Sequence, residues 1–270
     1  TKFSIASAIV VFIVISFLAI STYLLVNATL QQKTQAYITD NTTLLSSSIG
    51  NWLIGKKSQI NIIKQSLDND FSPQNFQALL ENPAFVNDFL LMFGTLSNER
   101  GLRSNDPNRV NPPEIDFRER AWFKLAQEQK NIAFTSPYVD AATKELLLSV
   151  VAPIYKNSAL MGVVGGDLSL NEIAKSVNTI NFNDTGYAFI VDGDANIITH
   201  PNKSLNGKSA RTIYKQSPTN DNKLIEIEHE GLQKILYFNR LDSNTGLDWY
   251  VGVILDKDRV YESLATFSLR

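Results

Sequence analysis

The chain of 270 residues contains no cysteine and only two histidines. The absence of cysteine excludes disulfides, thiol nucleophiles and cysteine-based zinc sites, but it does not identify a cellular compartment. His200 and His229 lie far apart in strand-like segments, so neither a metal-ligand spacing nor a Ser-His-Asp order is visible. We therefore expect no metal site, no cofactor, no catalytic residues and no enzymatic activity.

The sequence also lacks any run rich in lysine and arginine, since its 25 basic and 27 acidic residues are spread along the chain and give a net charge of -2. Nucleic acids and anionic membrane surfaces are recognised through concentrated positive charge, so we exclude nucleic acid as a partner. With 44% hydrophobic and 19% charged residues, the composition is that of a folded protein.

Charge is absent from residues 3–26, FSIASAIVVFIVISFLAISTYLLV. Roughly two dozen such residues, at about 1.5 Å per residue, allow a helix to cross a hydrocarbon layer about 30 Å thick. We interpret residues 1–27 as a transmembrane helix; the alternative is a signal peptide, whose apolar segment is normally shorter. Lys2 is the only charge on the N-terminal flank and favours a cytoplasmic N-terminus, which places the remaining chain outside.

Residues 28–68 contain no proline and keep apolar side chains at a spacing of three or four, which predicts one long helix leaving the bilayer. The apolar positions are Leu44, Leu45, Ile49, Leu53, Ile60, Ile63 and Leu67. A helix with such a narrow apolar stripe commonly packs on its own domain with one face and on a second subunit with another, so we expect a homodimer.

From residue 69 onward the sequence consists of short apolar runs bounded by glycine, asparagine, proline and lysine, a pattern that predicts strands and tight turns. A succession of strand, turn, strand, acid and helix occurs in residues 69–179 and again in residues 180–265. The predicted fold class is α+β, with two related modules that each contain a mixed or antiparallel sheet flanked by helices. We interpret residues 266–270 as the start of a link to a second membrane helix in a longer parent protein.

Residues 116–140, DFRERAWFKLAQEQKNIAFTSPYVD, place arginines beside aromatic side chains. Arg120 can offer a bidentate fork to a carboxylate, and Trp122 can offer an indole donor or a flat face to an ammonium group. The alternative is that the charges decorate the start of a helix while Trp122 and Phe123 are buried.

Asp167 lies at the inner end of an apolar strand, where a carboxylate is costly without a cation or several hydrogen bonds. Asp140 can approach the same place, and a ligand ammonium would relieve the repulsion between the two acids. Alternatively, Asp167 caps the helix that begins near Ser169, and Asp140 is a turn residue. A guanidinium at one end and two carboxylates at the other complement a small zwitterion such as an α-amino acid.

The arrangement resembles the double Cache periplasmic sensor domain of bacterial methyl-accepting chemotaxis proteins, with a membrane helix, a long helix and two PAS-like modules. The amino-acid-sensing branch of that family carries Tyr-Asp-Pro-Arg-x-Arg-Pro-Trp-Tyr, then Tyr-x-Asp, then an aspartate that ends a glycine-containing strand. This sequence has IDFRERAWF from Ile115 to Phe123, YVD from Tyr138 to Asp140, and GGD ending at Asp167.

The resemblance implies a role for each matching position. Arg120 and Trp122 would hold the ligand carboxylate, and Asp167, helped by Asp140 and Tyr138, would hold the amino group. The second module lacks the Arg and Trp cluster, so it resembles the membrane-proximal module, which usually passes a signal and often holds no ligand.

Two departures from the family pattern matter for the ligand. Ile115 and Phe123 stand where the family has tyrosines, so one hydroxyl is lost beside each end of the ligand. An amino acid remains the first expectation, and an amine, an amino sulfonate or an ω-amino acid stays open.

The resemblance thus implies the sensor region of a transmembrane chemoreceptor in the bacterial inner membrane, with the residues from about 28 onward in the periplasm. Such a receptor binds a small molecule in its membrane-distal module and reaches cytoplasmic signalling partners through a further C-terminal part. The alternatives are the sensor of a histidine kinase or of a cyclic-dinucleotide enzyme, an extracellular hydrolase, and a structural or adhesive ectodomain.

Overall fold

The computed structural model describes residues 2–140, 146–178, 182 and 184–268 of the chain. Its first element is α1 (Lys2–Asn69), one continuous helix that joins the predicted membrane helix to the predicted long helix. Among the described residues, α1 is the one helix long and apolar enough to cross a membrane, with a mean hydropathy of 2.3 and none of its apolar window buried. Length and composition therefore allow its N-terminal part to serve as a membrane anchor.

The C-terminal part of α1 packs against both sheets and contributes to one large core. Its buried stripe repeats with the helical period and consists of Ile38, Leu45, Ile49, Leu53, Ile60, Ile63 and Leu67. Leu44, which the sequence assigns to this stripe, is instead 68% exposed. Neighbouring residues of a helix point in different directions, so Leu44 and Leu45 do not share one face.

The first sheet lies between residues 91 and 169. The elements in this part of the chain are α2 (Pro73–Leu80), α3 (Pro83–Val86), β1 (Leu91–Leu96), β2 (Arg103–Ser104), a 3-10 turn (Phe117–Glu119), α4 (Ala121–Gln129), β3 (Ala133–Phe134), β4 (Tyr138–Val139), β5 (Leu146–Lys156), β6 (Ala159–Ser169) and α5 (Leu170–Asn178). The strand order is β2-β1-β6-β5-β3, and β4 also pairs with β5.

The second sheet repeats this plan. Its elements are β7 (Gly186–Asp192), β8 (Ile197–Thr199), a 3-10 turn (Lys203–Leu205), α6 (Ala210–Tyr214), β9 (Ile225–His229), β10 (Leu232–Arg240), a 3-10 turn (Ser243–Thr245), β11 (Trp249–Asp256) and α7 (Lys257–Ser268). The strand order is β8-β7-β11-β10-β9, so β11 occupies the place that β6 has in the first sheet.

The sequence predicts a hairpin connection at KNSALMG, residues 156–162, and a hairpin that turns at Glu230-Gly231, and both turns lie where the sequence predicts them. Asn157 and Ser158, with φ of 51° and 65°, connect β5 to β6, and Glu230 and Gly231, with φ of 55° and 73°, connect β9 to β10. Two consecutive residues with positive φ give a turn whose twist matches that of the paired strands. The α+β class is confirmed, and the described strand pairings are all antiparallel. The predicted module boundary at residues 179 and 180 lies outside the described residues.

The two faces of the first sheet have different neighbours. In β6, Val164 belongs to the core that includes α1, whereas Val163 belongs to a second cluster with Trp122 and Phe123 of α4. Side chains of a strand alternate between faces, so Asp167 lies on the same face as Val163. This carboxylate is therefore directed towards α4 and away from α1.

Candidate functional site

A cavity of about 480 Å³ lies between this face of the sheet, the loop that follows β2 and the start of α4. Its size is that of a small-molecule site, and its wall combines apolar side chains with a few charged ones. Six of the seven predicted site residues line it, namely Ile115, Arg120, Trp122, Tyr138, Asp140 and Asp167. The seventh, Phe123, does not line it. The fold thus brings together positions that are widely separated in the sequence.

Asp167 lines the cavity near the end of β6 and is 6% exposed. Its Oδ1 accepts hydrogen bonds from the Ser149 hydroxyl at 2.5 Å and from the Tyr138 hydroxyl at 3.0 Å. Its Oδ2 makes no hydrogen bond within the described part of the chain. Burial raises the pKa of Asp167 to about 6 and the charge of Asp140 adds to this rise, while the two hydroxyls and Arg109 oppose it.

Strand pairing places the two hydroxyl groups beside Asp167. Ser149 of β5 is the direct cross-strand partner of Asp167, and Tyr138 of β4 pairs with Leu147 of the same strand. Cross-strand partners on one face lie within contact distance. Burial, followed by the charge of Asp167, raises the pKa of the Tyr138 phenol. Tyr138 therefore remains protonated and able to donate at physiological pH.

The two arginines before α4 have different surroundings. Arg118 binds Asp116 through two nitrogens, at 2.9 Å and 2.6 Å, and donates to the carbonyl of Ser97 at 3.0 Å. The hydrogen bond from Arg118 lowers the pKa of Asp116 to about 2. Arg120 lines the cavity and has neither an ion pair nor a side-chain hydrogen bond among the described residues. Of these two arginines, Arg120 is thus the one whose guanidinium is available to an anionic group in the cavity, which Arg109 of the loop after β2 also lines.

Trp122 and Phe123 occupy different places at the start of α4. Trp122 lines the cavity and meets the Phe93 ring edge-on, with ring centroids 4.9 Å apart. Phe123 is 4% exposed and packs against Trp122 at a centroid distance of 5.7 Å, in the cluster behind the cavity wall. Of the two positions at which the family pattern has tyrosine and this chain does not, Ile115 therefore borders the cavity, and Phe123 supports its wall.

Four polar residues of the site are absent from the predicted set. They are Ser149 in β5 and the loop residues Asp106, Asn108 and Arg109. Ser149 is the single polar residue inside an apolar strand, a signal that indicates a buried hydrogen bond. The three loop residues show neither the helical nor the strand periodicity, and only the density of Asp, Pro and Asn indicates that they lie in a loop. Loops often carry binding residues.

His200 is buried in the second module. Its Nδ1 accepts the amide of Asn202 at 2.8 Å, and its Nε2 lies 2.8 Å from the Tyr214 hydroxyl. Burial lowers the pKa of His200, so the imidazole is neutral at physiological pH. No group of three or more metal-ligating side chains occurs within the described ranges.

The family model described as Cache domain matches residues 26–264 of this chain. The chain is 34% identical over 264 residues to the methyl-accepting chemotaxis protein PctB of Pseudomonas aeruginosa and 29% identical over 268 residues to McpG of Pseudomonas putida. These alignments cover 97% and 98% of this chain, but the chain spans only 42% of the length of each relative.

Several solved structures with a similar fold are ligand-binding domains of chemoreceptors. The PctB domain in complex with L-Arg has a TM-score of 0.77 at 34% identity, covering 85% of this chain and 98% of that one. The domain of Pseudomonas fluorescens CtaA in complex with L-isoleucine has a TM-score of 0.78 at 27% identity, covering 87% and 98%. The domain of Pseudomonas aeruginosa PctC in complex with GABA has a TM-score of 0.74 at 29% identity, covering 83% and 100%.

Proposed function

Because this chain belongs to the dCache_1 family of Cache domains, we propose that it is the extracytoplasmic sensor region of a transmembrane chemoreceptor and that its cavity binds a small zwitterion, foremost an amino acid. One observation carries this proposal. The same cavity presents the guanidinium of Arg120 without a partner among the described residues and a carboxylate oxygen, Oδ2 of Asp167, without a hydrogen bond among them. An α-amino acid supplies a carboxylate for the first group and an ammonium for the second.

The proposed roles follow from the chemistry of each side chain. Arg120 binds the ligand carboxylate with its planar fork, and the Trp122 indole assists. Asp167 and Asp140 accept the ammonium group, and the Tyr138 hydroxyl holds Asp167 in place.

Two further residues act on the shape of the proposed site. Ile115 contributes apolar wall, and Phe123 acts through Trp122, against which it packs. The ligands of the solved neighbours, L-Arg, L-isoleucine and GABA, support an amino acid or ω-amino acid as the ligand class.

The same proposal covers the arrangement in the cell. Residues 1–27 anchor the chain in the bacterial inner membrane, and the residues that follow lie in the periplasm. Residues 69–179 form the membrane-distal ligand-binding module, in which all cavity residues fall, and residues 180–265 form the membrane-proximal module. The chain acts as a homodimer that signals to cytoplasmic partners, and it is a sensor and not an enzyme. Support comes from relatives that are chemotaxis proteins extending well beyond the matched region.

Signalling on this proposal follows from differential binding. A ligand shifts a receptor only when it binds one arrangement more tightly than another. Closure of the cavity around a zwitterion draws α4 and the loop after β2 towards β6, and the altered first module then biases the second module and α7.

The test is thermal unfolding of the whole chain in detergent micelles with amino acids, ω-amino acids, amines, amino sulfonates and simple carboxylates. A ligand at about a hundred times its Kd should raise the unfolding temperature by roughly 5 to 10 °C. Arg120→Ala and Asp167→Asn should abolish the shift, whereas Arg118→Ala, which alters an arginine engaged with Asp116, should retain it. The proposal fails if no zwitterion or amine shifts the wild-type protein.

A further inference from the structure

Three oxygen atoms meet on one side of the cavity. The Ser149 hydroxyl oxygen lies 2.5 Å from Oδ1 of Asp167, the Tyr138 hydroxyl oxygen lies 3.0 Å from the same atom, and the two hydroxyl oxygens lie 2.7 Å apart. All three are hydrogen-bonding distances, so the atoms form a closed triangle. Ser149 is fully buried and Asp167 is 6% exposed, which shields the triangle from solvent.

A count of protons distinguishes the two charge states of this triangle. The hydroxyls of Ser149 and Tyr138 supply one proton each. When Asp167 is ionised, only the two hydroxyl protons are available for the three oxygen–oxygen contacts. One pair of oxygens is then in contact without a proton between them. With Asp167 neutral, its carboxyl proton completes a ring in which each of the three oxygens donates once and accepts once. The 2.7 Å contact between the two hydroxyl oxygens therefore fits the protonated carboxyl group, in which one hydroxyl accepts from Oδ1 and donates to the other hydroxyl.

The charged groups around Asp167 come from several elements. Burial has the largest effect and raises its pKa, and the charge of Asp140, after β4, acts in the same direction. Arg109, in the loop after β2, and the two hydroxyls of the triangle lower it. Among the residues that the structure describes, the other charged side chains on the cavity wall are those of Asp106 and Arg120. The balance places the titration of Asp167 at about pH 6, close to physiological pH.

We propose that, in mildly acidic solution without ligand, the triangle stores one proton, with Ser149 as a positioning residue, and that the ammonium group of a bound ligand expels this proton. The ammonium donates a hydrogen bond to Oδ2 of Asp167, the carboxyl O–H bond breaks, and the proton leaves to the solvent. The ligand keeps its own protons, so one binding event releases at most one proton. This inference rests on the proposed function, because it requires a ligand that carries an ammonium group.

The proposal makes ligand affinity depend on pH. At pH values well below the pKa of Asp167, the ligand and a proton compete for the same carboxylate. The apparent Kd of the ligand then falls by about tenfold for each unit by which the pH rises. Well above this pKa, the carboxylate is already ionised, and affinity no longer changes through this group. A simple carboxylate without an amine cannot expel the proton, so the effect is specific to amines and zwitterions.

The test is titration calorimetry of the whole chain in detergent micelles, with L-arginine, L-glutamine and L-isoleucine as probes. Each titration is run in two buffers with small and large heats of ionisation, because the difference in heat counts the protons exchanged. At about pH 6, binding should release about half a proton per ligand, and at about pH 8 almost none.

Two variants locate the source of the proton. Asp167→Asn should release no proton with any ligand that it still binds. Ser149→Ala opens the triangle, so the midpoint of proton release should fall by about half a pH unit or more if the closed ring holds the proton. A rise of the midpoint would show that Ser149 stabilises the ionised carboxylate and would overturn the ring. Ser46→Ala, which removes a buried hydroxyl from α1 far from the cavity, should leave the midpoint unchanged. A role of Ser149 in stability alone would lower the unfolding temperature without moving the midpoint.

Each outcome has a separate meaning. Binding with heats that are independent of the buffer at about pH 6 would overturn the stored proton while leaving the proposed function intact. Proton release with an unmoved midpoint in Ser149→Ala would overturn the part assigned to Ser149. If none of the three probes binds, and no other amino acid or amine shifts thermal unfolding, the proposed function itself fails.

Discussion

Lys234 lies directly across the second sheet from Asp256, and the two side chains form an ion pair with 3.4 Å between Nζ and Oδ2. In the first sheet the same cross-strand relationship joins Ser149 to Asp167, and each aspartate lies near the end of the third strand in its sheet order. Asp256 Oδ1 also accepts the amide of Arg259 in α7. In the second module the ammonium group of Lys234 therefore binds the aspartate. In the first module the corresponding aspartate, Asp167, has a carboxylate oxygen, Oδ2, without a hydrogen bond among the described residues.

Lys234→Met keeps the length of the side chain and removes this ammonium. The partly buried carboxylate of Asp256 then loses its cation, so we expect the free energy of unfolding to fall by about 1 to 3 kcal/mol at neutral pH. Burial alone raises the pKa of Asp256, but the Arg259 amide and Lys234 lower it below its usual value. The ion pair therefore stabilises the fold fully at pH values above the ordinary pKa of an aspartate. This stabilisation is lost as the pH falls through the lowered pKa of Asp256.

Urea unfolding at neutral pH and at about pH 3 measures this loss. The double variant with Asp256→Asn should recover most of the stability, because no uncompensated charge remains. Lys223→Met is the matched control, since Lys223 pairs with Asp221 at 3.9 Å with a side chain that is 77% exposed, and exposed pairs contribute little. An equal loss in both lysine variants would contradict the assignment.

Asp167→Asn should stabilise the ligand-free protein at neutral pH. The pKa of about 6 in the folded protein lies above the ordinary aspartate value of 3.8, so between these two values the folded chain keeps a proton that the unfolded chain has lost. As the pH rises between these two values, the free energy of unfolding therefore falls by up to about 3 kcal/mol, and it stays low at higher pH. Urea unfolding from about pH 4 to about pH 7 should show this slope for the wild type and not for the variant. Identical slopes would show that Asp167 is ionised in the folded protein across the window.

Arg120→Lys retains the charge and loses the planar fork. A bidentate contact with a carboxylate becomes a single one, so we expect the affinity for a zwitterion to fall by about tenfold, and by about a hundredfold for Arg120→Ala. Arg118→Lys is the matched control because Arg118 is already engaged with Asp116 and Ser97. Calorimetric Kd values measure the difference, and an equal loss of affinity in both lysine variants would contradict the role assigned to Arg120.

The strands and the buried Asp167 could be predicted from the sequence, because the residue patterns that indicate them involve neighbouring residues only. The Glu230-Gly231 turn needs only two residues that tolerate positive φ between two apolar runs, and both adopt it. Asp167 stands out because a carboxylate at the end of an apolar strand requires a partner. These predictions rest on residues adjacent in the chain.

Other parts of the site depend on long-range placement. Ser149 becomes relevant only through its register opposite Asp167, which is set by the whole β5–β6 hairpin. Arg109 reaches the cavity through a loop without a period. Phe123 differs from Trp122 by one residue of helical rotation, and no local signal tells which of two neighbouring aromatic residues faces a cavity.

Phe123→Tyr restores a hydroxyl of the family pattern at a position behind the wall. Phe123 is 4% exposed among apolar side chains, so the new hydroxyl lacks a partner and should lower the free energy of unfolding by about 1 to 3 kcal/mol. Ile115→Tyr instead places a hydroxyl on the cavity wall and should change ligand affinity more than stability. Unfolding and calorimetry on both variants separate the two effects. If Phe123→Tyr changes affinity without destabilising the fold, Phe123 contacts the ligand directly.

Gly166→Ala tests why glycines precede the acid in β6. A Cβ at residue 166 would overlap Cδ1 of Phe89, and a Cβ at Gly165, on the other face, would lie 2.9 Å from Cζ of Phe93. Both rings therefore pack directly on the backbone beside Asp167. Because Phe89 is buried and has little room to move, we expect Gly166→Ala to lower the free energy of unfolding by about 1 to 3 kcal/mol.

The matched control is Gly55→Ala in α1, where a Cβ meets nothing within 4 Å. That change should instead stabilise the protein by about 0.5 to 1 kcal/mol, because alanine is the better helix former. Urea unfolding distinguishes the opposite signs. If Gly166→Ala leaves stability unchanged but weakens ligand binding, the contact with Phe89 fixes the position of the Asp167 carboxylate more than it contributes to the fold. If it changes neither, the rings are not what holds this strand, and the glycines are needed for another reason.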